Sequence, residues 1–224
     1  MMASPRRWIS PFARIPKELE EVLRRGGVVI YPTETVYGLG GDPQHAAVIE
    51  RIQNLKGRPV HKPFPLIVAD REAVRHWVQW HRDPLDRIAE RFWPGPLTLV
   101  LQAASNVPQG LQSAEGTVAV RVSAHPVATL MAKACGGALV ATSANLSGEP
   151  PVSSPAELSR ALLDAVDGLV DGGTLPPSPP STLVAVTFHE EGFSWKVLRQ
   201  GAVSAETLAL FFQGENVAAT MEDL

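Results

Sequence analysis

Cysteine is almost missing from this chain of 224 residues: Cys135 stands alone. That excludes an internal disulfide and any zinc site built on a cysteine cluster, and it fits a reducing cytoplasm. No Gly-Lys dipeptide occurs, so the phosphate loop of P-loop NTPases is absent. Gly38-Leu39-Gly40-Gly41-Asp42-Pro43 lacks the third glycine of a dinucleotide fingerprint, and there is no Gly-x-Ser-x-Gly elbow. His45, His61, His76, His81, His125 and His189 show no metal-ligand spacing and read as solvated or capping residues. No apolar run approaches the about 20 residues of a membrane span. Met1 to Ile15 carries Arg6, Arg7 and Arg14 without the apolar stretch of a signal peptide. The net charge of -3 supplies no global basic field for nucleic acid.

What is present is ordinary globular material, 45% hydrophobic and 19% charged, in a chain long enough to bury a core. Periodicity predicts helices over Pro16–Arg25, over 83–92, from His125 to Cys135 and from Ser204 to Phe212. Asp42 and Pro43 are read as the cap and first residue of a helix reaching Lys56, and Asp70 as the cap of one running to Trp77–Trp80. A further helix is predicted over Pro155–Ala165. Strands are predicted at Val28–Tyr31, Phe64–Ala69, Leu97–Gln102, Thr117–Val122, Ala138–Ala141, Leu169–Asp171, Leu183–Phe188 and Trp195–Leu198. Strands and helices intermix without strict alternation, which argues for one α/β domain with a mixed, twisted sheet rather than a doubly wound fold.

Four stretches carry candidate chemistry. "YPTETVYGLGGDP" (31–43) places hydroxyls and bare backbone where a buried strand ends. "LKGRPVHKP" (55–63), with Arg51 before it, gathers Lys56, Arg58 and Lys62 with no acid among them. Cations so spaced over a turn converge on a polyanion, or they form a solvated basic face with Lys56 facing a helix's carbonyl end. "ATSANLSGEPP" (141–151) offers Thr142, Ser143, Asn145 and Ser147 at a strand end, either as a polar turn or as a ligand cradle. In "GTVAVRVS" (116–123) alternation puts Thr117, Ala119 and Arg121 on one face and three valines on the other. If the valines face the core, Arg121 faces solvent or a cleft.

Together with "WPGPLTLVL", "STLVAV" and "VLRQGA", these segments resemble the YrdC-like family, the threonylcarbamoyl-AMP synthases of tRNA modification, over roughly residues 14 to 205. The resemblance implies an α/β twisted open sheet with flanking helices and a deep basic groove, followed by a C-terminal helix and tail over 206–224. It implies that L-threonine, bicarbonate and ATP, with Mg2+, give threonylcarbamoyl-AMP and pyrophosphate. It implies ATP contacts at Lys56, Arg58, Lys62, Thr117, Ser143, Asn145 and Arg199, with Pro151 along the adenine or ribose. The threonine pocket maps to Thr35, Arg121 and Ser181, with backbone from Ala141, and Thr33 offers a second short hydroxyl there. No protein nucleophile and no protein-held metal are expected.

The resemblance also implies a cytoplasmic enzyme of the short form. Its labile product would pass to a transferase complex that modifies an adenosine in tRNA. Ala185 departs from the family, which often has an acid there, and the Leu175–Pro180 run before Ser181 is unusual. Two rival readings are another carbamoyl-adenylate reaction, as in hydrogenase maturation, and a double-stranded RNA or tRNA binding module. The lack of cysteine clusters weighs against the first and the acidic net charge against the second.

Overall fold

The three valines of Thr117–Val122 do face the core: Val118, Val120 and Val122 are all buried. They belong to a computed structural model that describes residues 5–57, 63–190, 192–213 and 220–221. Its strands are β1 (Arg6–Ile9), β2 (Val29–Tyr31), β3 (Gly38–Gly40), β4 (Leu66–Val68), β5 (Leu97–Gln102), β6 (Thr117–Val122), β7 (Ala138–Val140), β8 (Thr142–Ser143), β9 (Gly168–Asp171), β10 (Thr182–His189), β11 (Gly192–Arg199) and β12 (Thr220–Met221). Its helices are α1 (Lys17–Arg24), α2 (Ala46–Lys56), α3 (Arg71–Val74), α4 (Arg82–Phe92), α5 (Pro126–Ala134), α6 (Arg160–Ala165) and α7 (Ala205–Gln213).

Where one sheet is predicted, two form. A five-stranded sheet runs β1-β9-β2-β3-β8, and a seven-stranded sheet runs β12-β11-β10-β5-β6-β4-β7. Both mix parallel and antiparallel pairs: β10 lies parallel to β5, and β5 antiparallel to β6. The chain passes from one sheet to the other within a few residues. β7 closes the edge of the larger sheet, and after Ala141 the same chain enters β8 of the smaller one. Period-2 patterning cannot announce this crossing, because β3 is Gly-Leu-Gly and β8 has only two residues.

The seam is drawn tight. The Val140 N–H donates to the Gly41 carbonyl at 2.9 Å, and the Tyr31 hydroxyl donates to the Val140 carbonyl at 3.1 Å. A Cβ at Gly40 would lie 1.7 Å from that same carbonyl oxygen. Helices α1 and α5 cover the seam with a core drawn from both sheets: Leu19 and Leu23 of α1, Val127 and Met131 of α5, Tyr31 and Val170 of the smaller sheet, and Ile67 and Leu139 of the larger. A larger core holds Val48 and Ile52 of α2, Ile88 of α4, the inner face of β5 and β6, and Phe212 of α7. Phe212 stacks on Trp195 of β11 with centroids 4.6 Å apart, so the C-terminal helix is part of this body. Beyond it, β12 pairs in parallel with β11, and residues 214–219 and 222–224 lie outside the described residues.

Four local readings are corrected. Helix α2 starts at Ala46 with His45 as its cap. Asp42 instead accepts from the Gln44 N–H at 2.9 Å and shapes the turn before the helix. Asp70 does cap a helix, accepting from the Ala73 N–H at 2.9 Å, but α3 ends at Val74, because Val78 is drawn into a bridge with Ala103. The segment 155–165 is two elements, since Ser154 caps a short 3-10 turn and Ser159 caps α6 separately. The edge strand β1 was not foreseen; it pairs in parallel with β9.

Gly40→Ala is expected to destabilise the fold by about 3 kcal/mol, because the obstacle is backbone that cannot rotate away. Urea denaturation reads this against Gly110→Ala, where a Cβ meets nothing within 4 Å and the change should stay within about 0.5 kcal/mol.

Candidate active site

A cavity of about 670 Å³ opens on the polar face of the seven-stranded sheet, where the end of the smaller sheet meets it. The larger sheet supplies Thr98, Thr117, Ala119, Arg121, Leu183 and Arg199. Strand pairing explains this grouping: Val100 pairs with Ala119 and Leu183 with Thr98, so alternate residues of β5, β6 and β10 share that face. The smaller sheet supplies Tyr31 and Ser143, and the turn between β2 and β3 supplies Thr33, Thr35 and Tyr37. Lys56 closes in from the end of α2, and Pro151 and Ser181 from loops.

Thr33 organises the strand-end turn. Its hydroxyl donates to the Val36 carbonyl at 2.6 Å and sits 3.2 Å from the N–H groups of Thr35 and Val36. The Thr33 and Thr35 oxygens are 3.1 Å apart. Since the one hydroxyl proton of Thr33 goes to Val36, Thr35 is the donor in that pair. Thr35 therefore offers lone pairs to the cavity. Ser181 offers the opposite: its oxygen accepts from Thr98 at 2.9 Å and from Arg199 at 3.2 Å, leaving its own O–H to donate. Arg199 also donates to the Ser181 carbonyl at 2.9 Å.

Lys56 is buried rather than solvated. Its ammonium donates to the Ser143 carbonyl at 3.0 Å, the Asn145 carbonyl at 2.6 Å and the Asn145 side-chain oxygen at 3.0 Å. It staples the end of α2 to the Ser-Asn loop, and the side chain lines the cavity. Asn145 is not among the residues that line the cavity. Its side-chain amide donates to the carbonyls of Leu146 and Glu149 and its side-chain oxygen accepts from Lys56, so its polar atoms are all spent on protein partners. Arg58 and Lys62 lie outside the described residues. Every other residue expected at the site, Ala141 included, lines the cavity.

Arg121 is buried and paired with Glu34, Nη1 to Oε1 at 3.2 Å. The second Glu34 oxygen accepts from the Ser123 hydroxyl. Sequence reading missed Glu34; its signal was an acid flanked by two hydroxyls that both turn out to be buried. It also missed Ser113 and Glu115 on the rim. Ser113 beside Glu115 holds that exposed carboxyl below its ordinary range. Burial raises the Tyr31 phenol, against the pull of Arg121, and pushes the Cys135 thiol up, so neither offers an anion near neutrality. Burial lowers the His125 imidazole, with Glu34 opposing, and the neutral ring caps α5 by accepting from the Val127 N–H at 3.3 Å. Among the described residues no three His, Cys, Asp or Glu side chains converge as a metal cage requires. Glu115 is the one lining carboxylate among them.

Lys56→Met should cost stability, because it leaves three buried acceptors short of a donor. The expected loss is about 1–3 kcal/mol by urea denaturation. A lysine on a solvated face would give a change near zero.

The sequence matches the family described as Telomere recombination (Sua5/YciO/YrdC) over residues 21–201. A threonylcarbamoyl-AMP synthase of Stenotrophomonas maltophilia (strain K279a) is 41% identical over 162 residues, 70% of this chain and 87% of that protein. One from Halorhodospira halophila (strain DSM 244 / SL1) is 44% identical over 161 residues, covering 70% and 84%. The P. abyssi Sua5 crystal structure complexed with L-threonine superposes with a TM-score of 0.81 at 30% identity. That match covers 97% of this chain and 63% of the P. abyssi chain, so this chain spans somewhat less than two thirds of it. E. coli YciO, at 24% identity and a TM-score of 0.77, shares the fold over 92% of this chain and 99% of its own. On the match across most of its length, the chain belongs to the Sua5/YciO/YrdC family.

Proposed function

We propose that the protein is an L-threonylcarbamoyladenylate synthase, using L-threonine, bicarbonate and ATP. The observation that carries this reading is one cavity lined together by Arg121, Thr35 and Ser181 on one hand and by Lys56, Ser143 and Arg199 on the other. The first group suits a small hydroxy amino acid: a cation for its carboxylate, a hydroxyl acceptor and a hydroxyl donor. The second suits a polyphosphate, and Arg58 and Lys62 extend that basic side on sequence grounds. The volume lies within the usual range for ligand pockets and is ample for the two substrates side by side. Relatives that carry the synthase name, and the L-threonine complex of a similar structure, support the assignment.

The threonine amine adds to CO2 released from bicarbonate, with loss of water, and forms a carbamate. A carbamate oxygen attacks the α-phosphorus of ATP, and pyrophosphate leaves with the electron pair of the broken P–O bond. No side chain bonds to the substrates. The protein's work is to hold two anions in line and to neutralise their repulsion. Magnesium comes with ATP as its counter-ion, and no step depends on a protein-held metal. The product would be handed to a transferase complex acting on tRNA, with direct RNA contact optional. The lone, buried Cys135 suits a cytoplasmic setting. No described helix is long and apolar enough to cross a membrane.

Pyrophosphate release should require threonine, bicarbonate and ATP together. Serine, which keeps the hydroxyl, should substitute at a penalty of about 1–3 kcal/mol in kcat/KM, whereas valine should be rejected far more strongly, because it leaves Thr35 and Ser181 unpaired. Release independent of threonine removes the synthase reading; valine matching serine removes the hydroxyl-reading pocket.

A further inference from the structure

We infer that Glu34 is a positioning residue that ties the arginine of the amino-acid pocket to its hydroxyl reader. The inference rests on the pocket assignment above. Glu34 is not itself a lining residue: it sits behind the wall, between the buried Thr33 and Thr35. Its carboxylate reaches across from the turn of the five-stranded sheet to β6 of the seven-stranded one. One oxygen faces Arg121 and the other takes the Ser123 proton. Ser123 in turn accepts from the His125 N–H at 3.1 Å, which locks the residue that follows β6. Glu34 is thus the covalent neighbour of Thr35 and the ionic neighbour of Arg121.

The contact has an unusual character. Arg121 Nη1 and Glu34 Oε1 face each other at 3.2 Å, yet neither makes an aligned hydrogen bond with any described residue, and both atoms are buried. The carboxylate balances the charge of the guanidinium and sets its place through Nη1, an atom with no exposed surface. An incoming carboxylate meets the part of Arg121 that lines the cavity. An arginine without such an anchor would sample several rotamers, and a misplacement of about 1 Å is enough to cost a large factor in a positioned reaction.

Two effects of removing the charge oppose each other. An uncompensated Arg121 is a stronger lure for a carboxylate, which would lower the KM for threonine. A loosened Arg121 binds it in the wrong place, which would raise KM. The anchored geometry predicts that the second wins.

The test is Glu34→Gln in the full chain, with pyrophosphate release measured against threonine at saturating ATP and against ATP at saturating threonine. KM for threonine should rise about tenfold or more while KM for ATP stays within about twofold. Glu34→Asp, which keeps the charge, should recover most of the loss. Arg121→Ala and the double variant should be about equally impaired, because one anchor and its cargo act as a unit. An unchanged or lower threonine KM in Glu34→Gln overturns the inference, as does an equal loss for both substrates. If Glu34→Gln does not fold, Ser123→Ala decides: a selective rise in threonine KM supports the anchor, and none overturns it. If the wild type releases no pyrophosphate, the synthase reading fails on its own. Calorimetric titration of L-threonine into wild type and Glu34→Gln then still reads the anchor, and equal affinities overturn it.

Discussion

The close approach of β3 to β7 is the constraint on which the rest of the molecule hangs. Two sheets of this size normally bury facing side chains and stand about 10 Å apart. Here they meet edge to edge, backbone against backbone, through the Val140 N–H and the Gly41 carbonyl. Only a strand without side chains at Gly38 and Gly40 permits this, since Tyr31 and the Val140 carbonyl fill the space that Cβ atoms would take. The consequence is a cleft rather than a packed interior. The polar face of the larger sheet is left partly uncovered, and the ends of β2 and β8 overhang it.

The same constraint explains what the sequence discloses and what it hides. Strands β5 and β6 were legible to the residue, because alternation over six residues with one buried face is a local property. That alternation also placed Arg121 opposite the valines, and the cleft then decided between solvent and ligand. β3 and β8 were illegible, because glycine carries no pattern and two residues carry no period. The split into two sheets depends on pairing between residues about a hundred positions apart, which no local signal encodes. Motif order carried the family and most of the lining residues. It did not separate those that face the cavity from those that hold them, as Asn145 and Glu34 show. Both lie within the recognised motifs, yet Asn145 spends its amide on loop carbonyls and Glu34 turns its carboxylate away from the cavity.

A common principle governs the three cations that line the cavity among the described residues. None stands on a bare surface stalk. Lys56 is seated among three oxygens, Arg121 against a carboxylate, and Arg199 against the Ser181 carbonyl and hydroxyl. For the two buried charges, Lys56 and Arg121, this meets the desolvation cost within the fold, while Arg199 is exposed and held by its two acceptors. It also fixes the charge in space before any ligand arrives. Chemistry that needs no nucleophile gains most from such fixity, because an unmoving charge requires no reorganisation as the transition state forms.

The three seats differ in what they leave over. Carbonyl and hydroxyl partners hold Lys56 and Arg199 by dipoles, so these cations retain their net charge toward a polyanion. Glu34 holds Arg121 with a full opposite charge, so that end of the cavity is nearly neutral and still rich in donors. On the proposed reading, a triphosphate, carrying several negative charges, is therefore drawn to Lys56 and Arg199, whereas a single carboxylate can settle at Arg121 by geometry. Coulomb attraction scales with charge while hydrogen-bond complementarity does not. In the proposed synthase, that difference sorts the two anionic substrates to different seats within one cleft. On that reading it keeps the stronger polyanion from occupying the amino-acid pocket, which an arginine without a counter-charge would invite.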